Sequence, residues 1–107
     1  VNFTHVITDV RRRPNAYALR GYREFVAFVN GYNTATGGQL LDGFSARLAG
    51  RLGRGGNLHW AELIAKLATA PEEVRTMDDM SGPQEEQATK LLFEELLAFL
   101  AAPGPDV

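Results

Sequence analysis

Apolar residues recur along this chain at helical spacing, and nowhere with the sustained alternation of a strand. Near the start, Phe3, Val6, Ile7 and Val10 stand at i, i+3, i+4 and i+7, which is one face of an amphipathic helix. Asn2 is placed to cap it, because its side-chain oxygen can accept an otherwise unpaired amide hydrogen. Pro14 predicts the stop near Arg13, since proline disfavours helical backbone in the residue before it. From Gly21 to Asn33 the stripe is Tyr22, Phe25, Val26 and Val29, widened by Phe28 and Tyr32, until "TATGG" breaks it at Gly37 and Gly38. The third segment, "LLDGFSARLAGRLG", sets Leu41, Phe44, Leu48 and Leu52 on one face and Arg47, Arg51 and Arg54 on another. Its small residues Ala46, Ala49 and Gly50 permit close approach of a neighbouring helix. Asn57 is predicted to cap "LHWAELIAKLAT", whose stripe is Trp60, Leu63, Ile64 and Leu67 and which ends before Pro71. A polar, acidic connection runs from Glu72 to Gly82. The last helix has Ser81 and Gln84 three apart as a capping box, Pro83 in its first turn, and Glu85 and Glu86 at the positive end of its dipole. Its apolar face, Ala88, Leu92, Leu96 and Phe99 with Leu91 and Leu100, ends before Pro103.

Five helices and no strand predict an all-α fold: a compact bundle of about five helices forming a single domain over 1–102, with 103–107 ("PGPDV") as a flexible tail. A length of 107 residues supports one hydrophobic core and not two. There is no internal repeat and no low-complexity block.

Composition narrows the chemistry. Cysteine is absent, which removes disulfide frameworks, thiolate zinc sites and cysteine nucleophiles together. No apolar run is long enough to span a bilayer and no basic-then-apolar leader is visible, so the expected location is the cytoplasm. Val1 stands where an initiator Met is usual, which reads as a trimmed or alternative start. The excess of Arg over Lys, with abundant Ala and Gly, suits a high-GC bacterial genome.

The net charge of −2 conceals an asymmetry. Residues 1–54 carry eight Arg against Asp9, Glu24 and Asp42, whereas residues 55–107 carry Lys66, Arg75 and Lys90 against ten acids. Such a split marks an interaction surface unless folding interleaves the halves and cancels it.

The stretch "DVRRRPNAY" holds the most concentrated basic group. It resembles the arginine-proline-glycine turn bordering the nucleotide pocket of type II topoisomerase ATPase subunits. That fold needs a sheet and a Gly-rich lid that this chain lacks, so an ATP site is excluded. The structural reading assigns Arg13 to the carbonyls ending the first helix, Pro14 to the turn, and Tyr17 to ring packing with its hydroxyl bonded to a partner. Arg11 and Arg12 are expected on the surface.

A second resemblance covers most of the chain. "RRPNAY" at 12–17, "FVNGY" at 28–32, "DGF" at 42–44, "NLHWAELI" at 57–64 and "FEELLAFL" at 93–100 follow the order found in small, mostly uncharacterised bacterial all-α proteins. Several of these resemble immunity proteins encoded beside polymorphic or contact-dependent toxins. The resemblance implies a protein that binds and neutralises a cognate toxin domain.

The residues offer two candidate surfaces. Glu72, Glu73, Asp78, Asp79, Glu85 and Glu86 form an acidic stretch suited to the basic surface of a nuclease toxin, with Met77 and Met80 expected to be exposed as adaptable apolar contacts. The alternative is a nucleic-acid surface built on Arg11, Arg12, Arg20 and Arg23, extended by Arg13, Arg47, Arg51 and Arg54. An acidic pI and the absence of a helix-turn-helix pairing weigh against it. His59 and Trp60, at a helix start, read as a hydrogen-bonding hub beside an aromatic ring. His5 and His59 lack close metal-ligand spacing, and no nucleophile–base constellation is visible. No metal, no cofactor and no enzymatic activity are expected, and a protein partner is favoured over nucleic acid or membrane.

Overall fold

The boundaries of the helices follow from local capping chemistry. The computed structural model describes residues 2–102; the tail anticipated at 103–107 lies outside them. Helix α1, Phe3–Arg12, starts where Asn2 Oδ1 accepts the His5 amide at 2.9 Å. It ends at Arg13, and Pro14–Tyr17 then form a single 3-10 turn. Helix α2, Tyr22–Ala35, begins after Gly21, with Glu24 Oε1 reaching back to accept from the amides of Arg20 (2.5 Å) and Gly21 (3.3 Å). Helix α5, Gly82–Ala101, carries the anticipated capping box: Ser81 N–H donates to Gln84 Oε1 at 2.8 Å, and Gln84 N–H to Ser81 Oγ at 3.3 Å.

Three elements differ from the pattern read in the sequence. The segment from Leu40 does not form one helix, because Gly43 adopts a left-handed φ of 89° and α3 runs only Phe44–Leu52. Leu40 is nevertheless fully buried, held in the connection rather than on a helix. Helix α4, Trp60–Thr69, is capped by His59 and not by Asn57: His59 Nδ1 accepts the Ala61 amide at 3.1 Å. The acidic connection contains a further 3-10 turn, Met77–Asp79, stitched down by Glu62, which accepts the Met77 amide, and by Lys66, which donates to the carbonyls of Val74 and Arg75.

Among the described residues the fold is a compact all-α globule of five helices with no strand. Helix α5 packs against α1, α2 and α4, and α3 packs on α4. That central position explains why apolar residues wrap most of α5: Leu92, Phe93 and Leu96 are buried and Leu91, Leu97, Phe99 and Leu100 half-buried. Ile7, Val10, Tyr22, Val29, Phe44, Leu48, Leu63 and Ile64 complete the buried interior. The Cα radius of gyration is 13.5 Å, close to the roughly 13 Å of a compact chain of about 100 residues. The shortest Cα extent, 19 Å, fits two layers of helices packed about 8–10 Å apart.

The two charge halves interleave. Arg23 pairs with Asp78, Arg54 with Glu73, and Arg51 with Glu95 at 2.5 Å, with Arg47 Nε 3.8 Å from the same carboxylate. Glu95 sits in the interior, 6% exposed, so these two arginines neutralise a buried charge.

Candidate partner-binding groove

A groove of about 510 Å³ opens where the end of α1, the start of α2 and the first half of α5 meet. Phe25 and Phe93 lie edge to face at 5.4 Å and, with Tyr22, form its base, all three nearly fully buried in the core. Tyr22 is locked in place because its hydroxyl donates to Ala61 O of α4 at 2.7 Å, and burial pushes its pKa well above the usual tyrosine value. Five charged side chains also line the groove: Arg11, Arg20 and Lys90, and Glu85 and Glu86. Glu85 leans over Gly21, its Oε1 only 3.7 Å from where a Cβ on Gly21 would stand.

The charge pairing elsewhere makes this groove distinctive. Six of the eight arginines in residues 1–54 lie within 3.9 Å of a carboxylate: Arg12 and Arg13 at Asp9, and Arg23, Arg47, Arg51 and Arg54 as described above. Arg11 and Arg20 are the remaining two, and both line the groove. Among the described residues, none of the groove's five charged groups forms an ion pair, even with each other. The two helix N-termini at the groove are internally capped, by Glu24 on α2 and by Ser81 and Gln84 on α5. Anion recognition here therefore rests on side chains and not on open backbone amides.

The structure separates the acidic residues singled out in the sequence. Glu85 and Glu86 enter the groove, where they meet Arg11 and Arg20 from the rival basic surface. Glu73 and Asp78 are neutralised by Arg54 and Arg23, while Glu72 and Asp79 are exposed in the α4–α5 connection. The methionines correct the expectation made of them: Met80 is 8% exposed and belongs to the core, and Met77 is half-buried against it. A Met side chain next to acids still follows the hydrophobic gradient when a core lies beneath it.

Around the arginine turn, Arg13 binds a carboxylate and not the helix-end carbonyls. Its Nε and Nη2 donate to Asp9 Oδ1 and Oδ2 at 3.0 and 2.8 Å, and Tyr17 Oη donates to Oδ2 at 2.6 Å. These two donors, Arg13 before Tyr17, hold the Asp9 carboxyl down at about 2, below its ordinary 3.8. The same hydrogen bond raises the Tyr17 pKa. Pro14 starts the 3-10 turn and also borders the groove. The Tyr17 ring packs edge to face on Phe28 at 5.5 Å.

Comparison with known protein families, characterised proteins and solved structures finds no match to this chain. The site rests on its geometry.

His59 and Trp60 have structural tasks. His59 caps α4 and its ring lies 5.3 Å from that of Trp60, whose indole N–H donates to Asn30 Oδ1 at 3.0 Å. Among the described residues, no group of three or more His, Asp or Glu side chains is placed to hold a metal ion. No helix there is long and apolar enough to cross a membrane. Sequence reading missed Tyr22, Phe25, Lys90 and Phe93 as groove residues, placing the first two only on the apolar stripe of α2. The available signal was Phe93 itself, a large apolar residue flanking the main stripe of α5, one turn beyond Lys90.

Proposed function

We propose that this chain is an immunity protein: a cytoplasmic, non-catalytic protein that binds a bacterial toxin domain and covers its active or substrate-binding surface. The observation that carries the reading is the groove, in which five charged side chains that make no ion pairs among the described residues stand over a base of buried aromatic rings. Charges of this kind at a protein interface direct association and register. The toxin as the partner is suggested only by the resemblance of the motif order to small bacterial immunity-like proteins. The exposed acids Glu72 and Asp79 add attraction toward a basic target.

A nucleic-acid surface would need a continuous positive track. Six of the arginines available for one stand beside four carboxylates that interrupt such a track, and the two that remain share their groove with Glu85 and Glu86. The test is co-expression of the chain with the toxin domain encoded beside its gene, followed by gel filtration of the purified mixture. Restored growth and co-elution at one-to-one stoichiometry are expected. Failure to protect, or retention of nucleic acid that is lost as salt rises, overturns the reading.

A further inference from the structure

We propose that residues 70–81, the connection from α4 to α5, form a latch that opens and closes on α4 as one unit while the five helices stay folded. The inference goes beyond the protein-binding reading and stands without it. Glu62, Lys66 and Thr69 lie at i, i+4 and i+7, on one face of α4. Each of them binds backbone groups of the connection. Glu62 Oε1 and Oε2 accept the Met77 amide at 2.9 and 3.0 Å, and Lys66 Nζ donates to Val74 O at 3.0 Å and Arg75 O at 3.2 Å. Thr69 Oγ1 accepts the Val74 amide at 3.0 Å while donating to Ala65 O at 2.8 Å. Within 72–80 the backbone–backbone hydrogen bonds run from Asp79 to Thr76 and from Met80 to Met77, and neither joins the segment to another element.

A segment held by side chains alone lifts without breaking the hydrogen-bond ladder of any helix, which is the condition for a separate opening unit. Most of its own side chains are exposed; Met80 enters the buried core, and Val74 and Met77 are half-buried against it. Seating Met80 keeps the open form a minor state. Two ion pairs tie the latch sideways, Asp78 to Arg23 of α2 and Glu73 to Arg54 in the loop after α3. Their side chains are 58% and 72%, and 24% and 56%, exposed, so water weakens both ties. Any species that draws Glu73 or Asp78 away from its arginine favours the open form, in which Glu62 and Lys66 are released as well.

Amide hydrogen exchange of the full chain, read by NMR at rising urea below the unfolding transition, tests the latch. In the wild type, Val74 and Met77 should share one opening equilibrium, at least roughly tenfold more open than that of the Leu92 and Leu96 amides in α5, with a weaker urea dependence because less surface is uncovered. Lys66→Ala should speed exchange at Met77, whose amide it does not touch, by the same factor as at Val74, roughly tenfold for the loss of hydrogen bonds to a charged group. Glu62→Ala should likewise speed Val74 as much as Met77. Protection at Val74 and Met77 equal to that in α5, with the same urea dependence, overturns the proposal, because the connection then opens only when the whole fold does. Acceleration confined to the amide beside each substitution overturns it too, because the segment then frays piecemeal. The wild-type measurement decides the first point even if a variant fails to fold.

Discussion

Glu95 offers the sharpest test of how charge is handled inside this fold. Its side chain is 7% exposed; Oε2 accepts from Arg51 at 2.5 Å, while Oε1 stands 3.8 Å from Arg47 Nε, both of these atoms shielded and without a hydrogen bond. Replacing both arginines by Ala leaves a carboxylate among apolar side chains. Two unit charges about 4 Å apart attract by about 4 kcal/mol at an effective dielectric near 20, and breaking a buried pair from one side typically destabilises by about 3–5 kcal/mol. The arginine side chains are themselves 33% and 53% exposed, so water already screens part of that attraction. The expected loss for Arg47→Ala/Arg51→Ala is therefore roughly 2–4 kcal/mol. Glu95→Met acts in the opposite sense. It removes the desolvated charge, keeps much of the volume, and frees two arginines that can turn to solvent, so its stability should stay within about 1 kcal/mol of wild type or exceed it. Urea unfolding followed by circular dichroism decides the matter, with m expected at about 1–2 kcal/mol/M for a small domain. The double-alanine midpoint should fall by roughly 1–4 M, while Glu95→Met should lower it by no more than about 1 M. A Glu95→Met protein less stable than the double-alanine variant refutes the reasoning.

Two further outcomes follow from the turns. Asp9 is held at about 2 in the fold against an ordinary 3.8, so its ionised form is favoured by folding. The stability it contributes is present above pH 3.8 and disappears as the pH falls toward 2, and the gap between wild type and Asp9→Asn in thermal unfolding should close over that window. Gly55 has a φ of 85°, and a Cβ there would meet Leu63 Cδ2 at 2.9 Å and Leu58 Cδ1 at 3.2 Å. Gly55→Ala should therefore destabilise by about 1–3 kcal/mol. Gly50→Ala, in α3 with nothing within 4 Å of the new methyl group, should stabilise by roughly 0.5–1 kcal/mol. Equal melting temperatures for the two variants would contradict this account.

The helices were legible because their signals are local. Asn2, Pro14 and the Ser81–Gln84 pair each act within four residues, and the apolar stripes of α1, α2 and α4 report burial directly. The misplaced starts of α3 and α4 arose where two local solutions competed. Gly43 chose a left-handed turn over helix continuation, and a histidine nitrogen took the capping task that an asparagine two residues earlier was equally suited to perform. The site was much less legible. Nothing local in "RRR" shows that Arg13 folds back onto Asp9 while Arg11 faces a helix more than seventy residues away. The acidic connection likewise gave no sign that Glu73 and Asp78 would be paired from the loop after α3 and from α2, or that Met80 would be drawn into the core.

The interleaved charges have a consequence for how the molecule comes apart and together. Every ion pair between distant segments of the described chain joins an arginine from residues 1–54 to an acid from residues 55–102. The boundary falls at the Gly55–Gly56 loop. A ribosome releases residues 1–54 before residues 55–102, so these arginines emerge beside ribosomal RNA before the acids that pair with them. Severed at that loop, the same halves become two fragments of opposite charge, each lacking part of the shared core: a natural split pair whose reassembly would be fast in dilute buffer and slow in salt.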